Sequence, residues 1–146
     1  MRIAVINGPN LNLLGTREPA IYGHTTLPEI EARLRDVANE LDVAISFAQF
    51  NGEGEIIGAI QALKGAADGA LINAGAYSHT SLAIHDALTS VKVPFAEVHL
   101  TNIFAREPER RHSTLADAAV AIIAGFGAIG YELALRGLVS KLSTNG

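Results

Sequence analysis

A chain of 146 residues, 49% hydrophobic and with a net charge of −4, is long enough to bury a core as one domain spanning residues 1–146. It has no Cys, which excludes disulfides, thiolate nucleophiles and Cys-based zinc sites and fits a reducing compartment; the acidic balance argues against a nucleic-acid partner, which calls for a basic excess. No apolar run approaches the roughly 18 residues of a membrane span, and the short apolar stretch after Met1 carries no cleavage pattern, so a cytoplasmic protein with no membrane partner is expected.

The elements alternate strand and helix. The apolar run at residues 3–6 predicts a first strand. It leads into seventeen residues, 7–23, that read NGPNLNLLGTREPAIYG. A long ordered loop rich in Gly, Pro and Asn is a poor core element and a frequent site element. Its polar groups are the amides of Asn7, Asn10 and Asn12, the guanidinium of Arg17 and the phenol of Tyr22. Leu27, Ile30, Leu34, Val37 and Leu41 then recur at helical spacing. Thr26 is placed as the N-cap, with Pro28 in the first turn and Glu29 three residues on. Residues 43–48 predict a second strand, and Ile56, Ile57, Ile60 and Leu63 a second helix. Residues 70–73 form a third strand and 81–91 a third helix. Strands at 95–99 and 119–124 and a last helix at 128–142 complete the chain, leaving Ser143, Thr144, Asn145 and Gly146 as a frayed tail. Five strands alternating with helices imply an α/β fold with a parallel sheet covered on both faces.

Ligands of open parallel sheets bind beyond the carboxyl ends of the strands. That rule selects the Asn10 loop, the stretch from Asn73 to Ser81, and the stretch from Glu97 to Asn102, with Arg106, Arg110 and Arg111 following. A cation near Tyr22 would favour its phenolate, a competent base beside a carbonyl; Arg17 and Tyr22 read equally as ordinary loop residues. Glu97 and His99 lie two apart on a strand end, so both point the same way. The carboxylate can orient the imidazole as a general acid. The pair can also be a satisfied structural one, or with His79 and His112 part of a metal site, although no short ligand spacing supports a metal. His79 precedes a helix N-cap at Thr80 or Ser81, a place suited to substrate hydrogen bonding. His24 and His85 read as surface residues. The three arginines are a solvated charge run or a site for an anionic or polyhydroxylated ligand.

Residues 125–130, GFGAIG, match a dinucleotide-binding pattern, but sixteen residues follow Gly130 and leave no strand for a ribose-binding acid. Lys64, Lys92 and Lys141 lie near helix ends or in the tail, which disfavours a Schiff base.

With these segments placed, the chain resembles the type II 3-dehydroquinate dehydratases. The matching stretches are residues 7–23, QFNGEGE (49–55), INAGAYSHTS (72–81), EVHLTN (97–102), ARE (105–107) and RRHS (110–113), then the glycine-rich start of the last helix. The resemblance implies a flavodoxin-like three-layer sandwich with a five-stranded parallel sheet. It implies a lyase that removes water from 3-dehydroquinate by anti elimination through an enolate, with no cofactor, metal or imine. On this resemblance Tyr22 is the base, supported by Arg17 and Arg106, and Asn10 positions a water at the enolate oxygen. His99, oriented by Glu97, protonates the leaving hydroxyl. Asn73 and the amides of Leu100 and Thr101 bind the carboxylate within a site that includes Gly75 and Ala76. His79 and Arg110 contact ring hydroxyls. Asp86 reaches a neighbouring subunit's site in a homo-oligomer, a dodecamer built of trimers. The loop holding Arg17 and Tyr22 closes as a lid. The chain departs from the family pattern at Gly52 (usually His), Ala74 (Pro), Glu109 (Phe) and Thr114 (Tyr). A non-catalytic binder of cyclic polyol acids and a metal-dependent hydrolase are the rival readings.

Overall fold

The computed structural model describes residues 1–16 and 18–145. Five parallel strands, β1 (Arg2–Asn7), β2 (Ala44–Gln49), β3 (Gly69–Asn73), β4 (Phe95–His99) and β5 (Ala121–Ala124), form one sheet in the order β2-β1-β3-β4-β5. The helices are α1 (Pro19–Tyr22), a single turn, then α2 (Leu27–Leu41), α3 (Glu53–Gln61), α4 (Leu82–Val91) and α5 (Ile129–Asn145). The last runs through Ser143 and Thr144, so these residues extend a helix rather than fray; Gly146 lies outside the described residues.

Side chains alternate across the sheet, and each face is apolar. Ile3, Val5, Leu71, Ala96 and Val98 face α2 and α5, where Leu34 and Leu135 are fully buried. Ala4, Ile6, Ala70, Ile72 and Phe95 face α3 and α4, against Ile56, Ile60 and Ile84. This makes the three layers expected of a parallel sheet.

Local chemistry sets the helix ends. Thr26 caps α2 by accepting from the Glu29 amide at 3.3 Å, and Ser81, not Thr80, caps α4 through Ile84 at 3.0 Å. Asp42 and Lys92 end α2 and α4 in left-handed conformation.

Candidate active site

The chain leaves β1 for β2 on one side and returns to β3 on the other, so strand order switches at the β1–β3 pair. The carboxyl ends of these two strands are in register, Asn7 beside Asn73, and their following loops are pressed together. The Gly8 amide donates to the Asn73 carbonyl at 2.7 Å. A Cβ on Gly8 would sit 2.5 Å from the Ala74 oxygen, and Gly75 (φ +59°) lies against the Pro9 carbonyl.

A small, open cleft lies over this junction. The loop after β1 contributes Asn10, and α1 contributes Tyr22. Asn73, Gly75, Ala76 and His79 come from the end of β3 and the turn after it. His99 closes β4, Leu100 and Thr101 follow it, and Arg106 and Arg110 come from the turns beyond. Pro9, Leu11 and Ile103 also line it; they are apolar members of segments that the sequence marks only by their polar residues.

β4 turns Glu97 and His99 to the same face. Glu97 is fully buried and His99 is 5% exposed. Glu97 Oε2 accepts from His99 Nε2 in a short contact, and Oε1 accepts from the Ser113 hydroxyl at 2.8 Å. A buried carboxylate so paired fixes the imidazole tautomer, placing the ring hydrogen on Nε2 and leaving Nδ1 for proton exchange. His79 stacks beside His99, with ring centroids 6.2 Å apart. Its Nδ1 donates to the His112 carbonyl at 2.7 Å, and His112 Nε2 donates back to the His79 carbonyl at 2.8 Å. The neutral His79 ring therefore keeps Nε2 as an acceptor. Burial holds the His79 imidazole below its ordinary value of 6.5, against the opposing His112 hydrogen bond.

Arg106 Nη1 donates to the Tyr22 hydroxyl at 3.1 Å, and its guanidinium lies 5.3 Å from the centre of the Tyr22 ring. Arg110 is aimed by Glu107, Nε to Oε1 2.5 Å. Arg111 turns away, donating to the Arg106 carbonyl, and Arg17 lies outside the described residues. Asn10 takes a left-handed backbone (φ +69°), which Asn tolerates, and its amide donates to Asn51 Oδ1 at 3.0 Å.

The other two amides of the loop do not share this position. Asn7 is the last residue of β1, buried beneath the cleft, and Asn12 is exposed. Asn73 Nδ2 donates to Tyr131 Oη at 2.9 Å, and Tyr131 donates to Asn7 Oδ1 at 2.6 Å. Tyr131 is completely buried, and burial pushes its phenol well above the ordinary 10.0. Sequence patterning missed Tyr131 and the Ser113 contact; Tyr131 is one of three tyrosines in the chain and directly follows the glycines of residues 125–130, its one visible signal. Asp86 lies on the exposed side of α4, away from the cleft. His85 is not a simple surface residue. It lies between Asp86 (3.2 Å) and Asp117 (3.1 Å), and these hydrogen bonds raise its pKa.

The family described as Dehydroquinase class II matches residues 1–139. The chain belongs to this family. A 3-dehydroquinate dehydratase of Gemmatimonas aurantiaca is 58% identical over 142 residues, covering 97% of this chain and 93% of the relative. A catabolic 3-dehydroquinase of Penicillium rubens is 54% identical over 134 residues, covering 92% and 86%. The crystal structure of a type II dehydroquinase from Butyrivibrio crossotus superposes with a TM-score of 0.92 at 40% identity, over 94% of this chain and 97% of that one.

Against the dehydroquinase pattern given above, the four departures are locally accommodated. Thr114 ties its amide and hydroxyl to the Ser78 carbonyl at 2.7 and 3.1 Å. Gly52 caps α3 with its amide donating to Glu55 Oε1 at 3.3 Å. Ala74 is buried, its carbonyl accepting from the Tyr77 amide at 3.2 Å, and Glu109 is exposed in the 108–110 turn. None of the four lines the cleft.

Proposed function

We propose that this dehydroquinase removes water from 3-dehydroquinate to give 3-dehydroshikimate, as a shikimate-pathway or quinate-catabolic lyase, by anti elimination through an enolate. The observation that carries the reading is one cleft holding both a cation-bound phenol, Tyr22 with Arg106, and a carboxylate-bound imidazole, His99 with Glu97.

Tyr22 is the base. The Arg106 guanidinium holds its hydroxyl at 3.1 Å, and by the family resemblance Arg17 supports the same base. The phenolate takes the proton beside the ketone, and the electron pair moves onto the ketone oxygen as an enolate. Asn10 positions a water there, a preorganised hydrogen bond to developing charge. The enolate then collapses, expelling the hydroxyl, which takes a proton from His99. Tyr22 ends protonated and His99 neutral, so solvent resets both before the next turnover. Neither step needs an imine or a metal.

Asn73 and the amides of Leu100 and Thr101 hold the substrate carboxylate, with Gly75 and Ala76 forming that wall. His79 Nε2 accepts from a ring hydroxyl, and Arg110 donates to one. The loop of Arg17 and Tyr22 acts as a lid. The chain works as one domain, in the cytoplasm, within a dodecamer of trimers in which Asp86 reaches a neighbouring site.

Replacement of Tyr22 by Phe tests the assignment. Turnover should fall by at least about a thousandfold while product-analogue binding stays within about threefold, since only the proton acceptor is lost. Retained turnover would remove Tyr22 as the base.

A further inference from the structure

Glu97 depends on a residue outside the proposed chemistry. Its carboxylate is fully buried, so each oxygen needs a donor. His99 serves Oε2, and the Ser113 hydroxyl serves Oε1 at 2.8 Å. The direction of the second bond is fixed. The Leu115 amide donates to Ser113 Oγ at 3.1 Å, and a hydroxyl has one hydrogen; an ionised carboxylate only accepts, so that hydrogen goes to Glu97. The hydroxyl is also held in place, since Leu115 on one side is fully buried and Thr114 is tied to the Ser78 and Ser81 carbonyls at 3.1 and 3.3 Å.

We propose that Ser113 is a positioning residue: its hydroxyl, aimed by the Leu115 amide, locks the Glu97 carboxylate in the one rotation that keeps the His99 hydrogen on Nε2 and offers Nδ1 for proton delivery. This rests on the dehydratase reading above. A charge-assisted bond of this kind stabilises both the ionised form and the orientation of the acceptor. Without it the carboxylate can turn, and the imidazole loses the partner that selects its tautomer. His79, Arg106, Arg110 and Tyr22 also line the cleft with His99, and none of them is a carboxylate. Glu107, the nearby acid, is engaged by Arg110.

The test is steady-state kinetics on full-length Ser113→Ala and Ser113→Thr, with solid-state spectra of ring-¹⁵N-labelled histidine. Ser113→Ala should lower kcat by about tenfold, the scale of one charge-assisted hydrogen bond, with KM within about twofold. In spectra of the neutral imidazole, the His99 ring should change from a single Nε2–H tautomer to a mixture. Ser113→Thr, which restores the hydroxyl, should recover most of the rate. If the alanine variant fails to fold, Ser113→Cys, similar in size and a weak donor, should show the same direction of change. An unchanged His99 tautomer with wild-type kcat would overturn the proposal, as would a threonine variant as impaired as alanine. A wild-type protein inactive on 3-dehydroquinate would overturn the underlying reading instead, and is recognised before any variant is compared.

Discussion

Asn73 and Tyr131 lie 58 residues apart in sequence and share a buried hydrogen bond of 2.9 Å that joins the floor of the cleft to the last helix. The Tyr131 hydroxyl is a through-connection, accepting from Asn73 and donating to Asn7. It fixes the Asn73 amide with Nδ2 toward α5 and leaves Oδ1 to accept from the Gly75 amide at 3.2 Å. Tyr131→Phe keeps the ring and deletes the link. It leaves two buried polar groups unpaired and should cost about 3 kcal/mol in unfolding free energy. KM should rise more than kcat falls, because Asn73 binds rather than reacts; denaturant melts and steady-state kinetics check both.

The same phenol predicts an alkaline limit to stability. Its folded-state pKa lies above the ordinary 10.0, chiefly through burial. The folded state therefore holds the proton where the unfolded chain releases it, so the contribution is complete below pH 10 and is lost as pH rises beyond it. Unfolding free energy should decline from about pH 10 upward, and the decline should be shallower in Tyr131→Phe.

Glu97→Gln preserves shape and removes the charge beside His99. An amide cannot stabilise an imidazolium, and its NH₂ can face the ring nitrogen that now donates. The kcat should fall by about 10²- to 10³-fold with little change in KM. An equal rise in KM would instead assign Glu97 to substrate binding.

Gly8→Ala tests the contact between the loops. A methyl group placed 2.5 Å from the Ala74 oxygen meets backbone, not a flexible side chain. The loops must part, costing about 2 kcal/mol, and the cleft loses its alignment. Both a lower melting midpoint and weaker substrate binding are expected; full affinity would show that the junction does not shape the site.

Much of this was legible in the chain because a parallel sheet buried on both faces writes apolar runs: residues 3–6 and 70–72 are unbroken ones, and 95–99 is apolar except at Glu97 and His99. Glu97 and His99 stand out because they lie two apart at a strand end and so point the same way. The single-turn elements were not legible: Leu11–Leu13 and Pro108–Arg110 are too short to set up a period. Asn7 reads as a loop amide from sequence although it closes β1, because Asn at a strand end and Asn in a loop look alike. Ser113, Tyr131 and the His85 clasp escaped for a common reason. Each is defined by a partner brought near by the fold, and neither spacing nor periodicity encodes that partner.

The central claim is the dehydration itself. The most direct measurement mixes the purified protein with 3-dehydroquinate and follows the ultraviolet absorbance of the conjugated enone product, with chelator and with borohydride in parallel. A rise unaffected by either reagent is predicted. No rise from folded protein would contradict the account, and loss of the signal with chelator or borohydride would contradict its metal-free, imine-free chemistry.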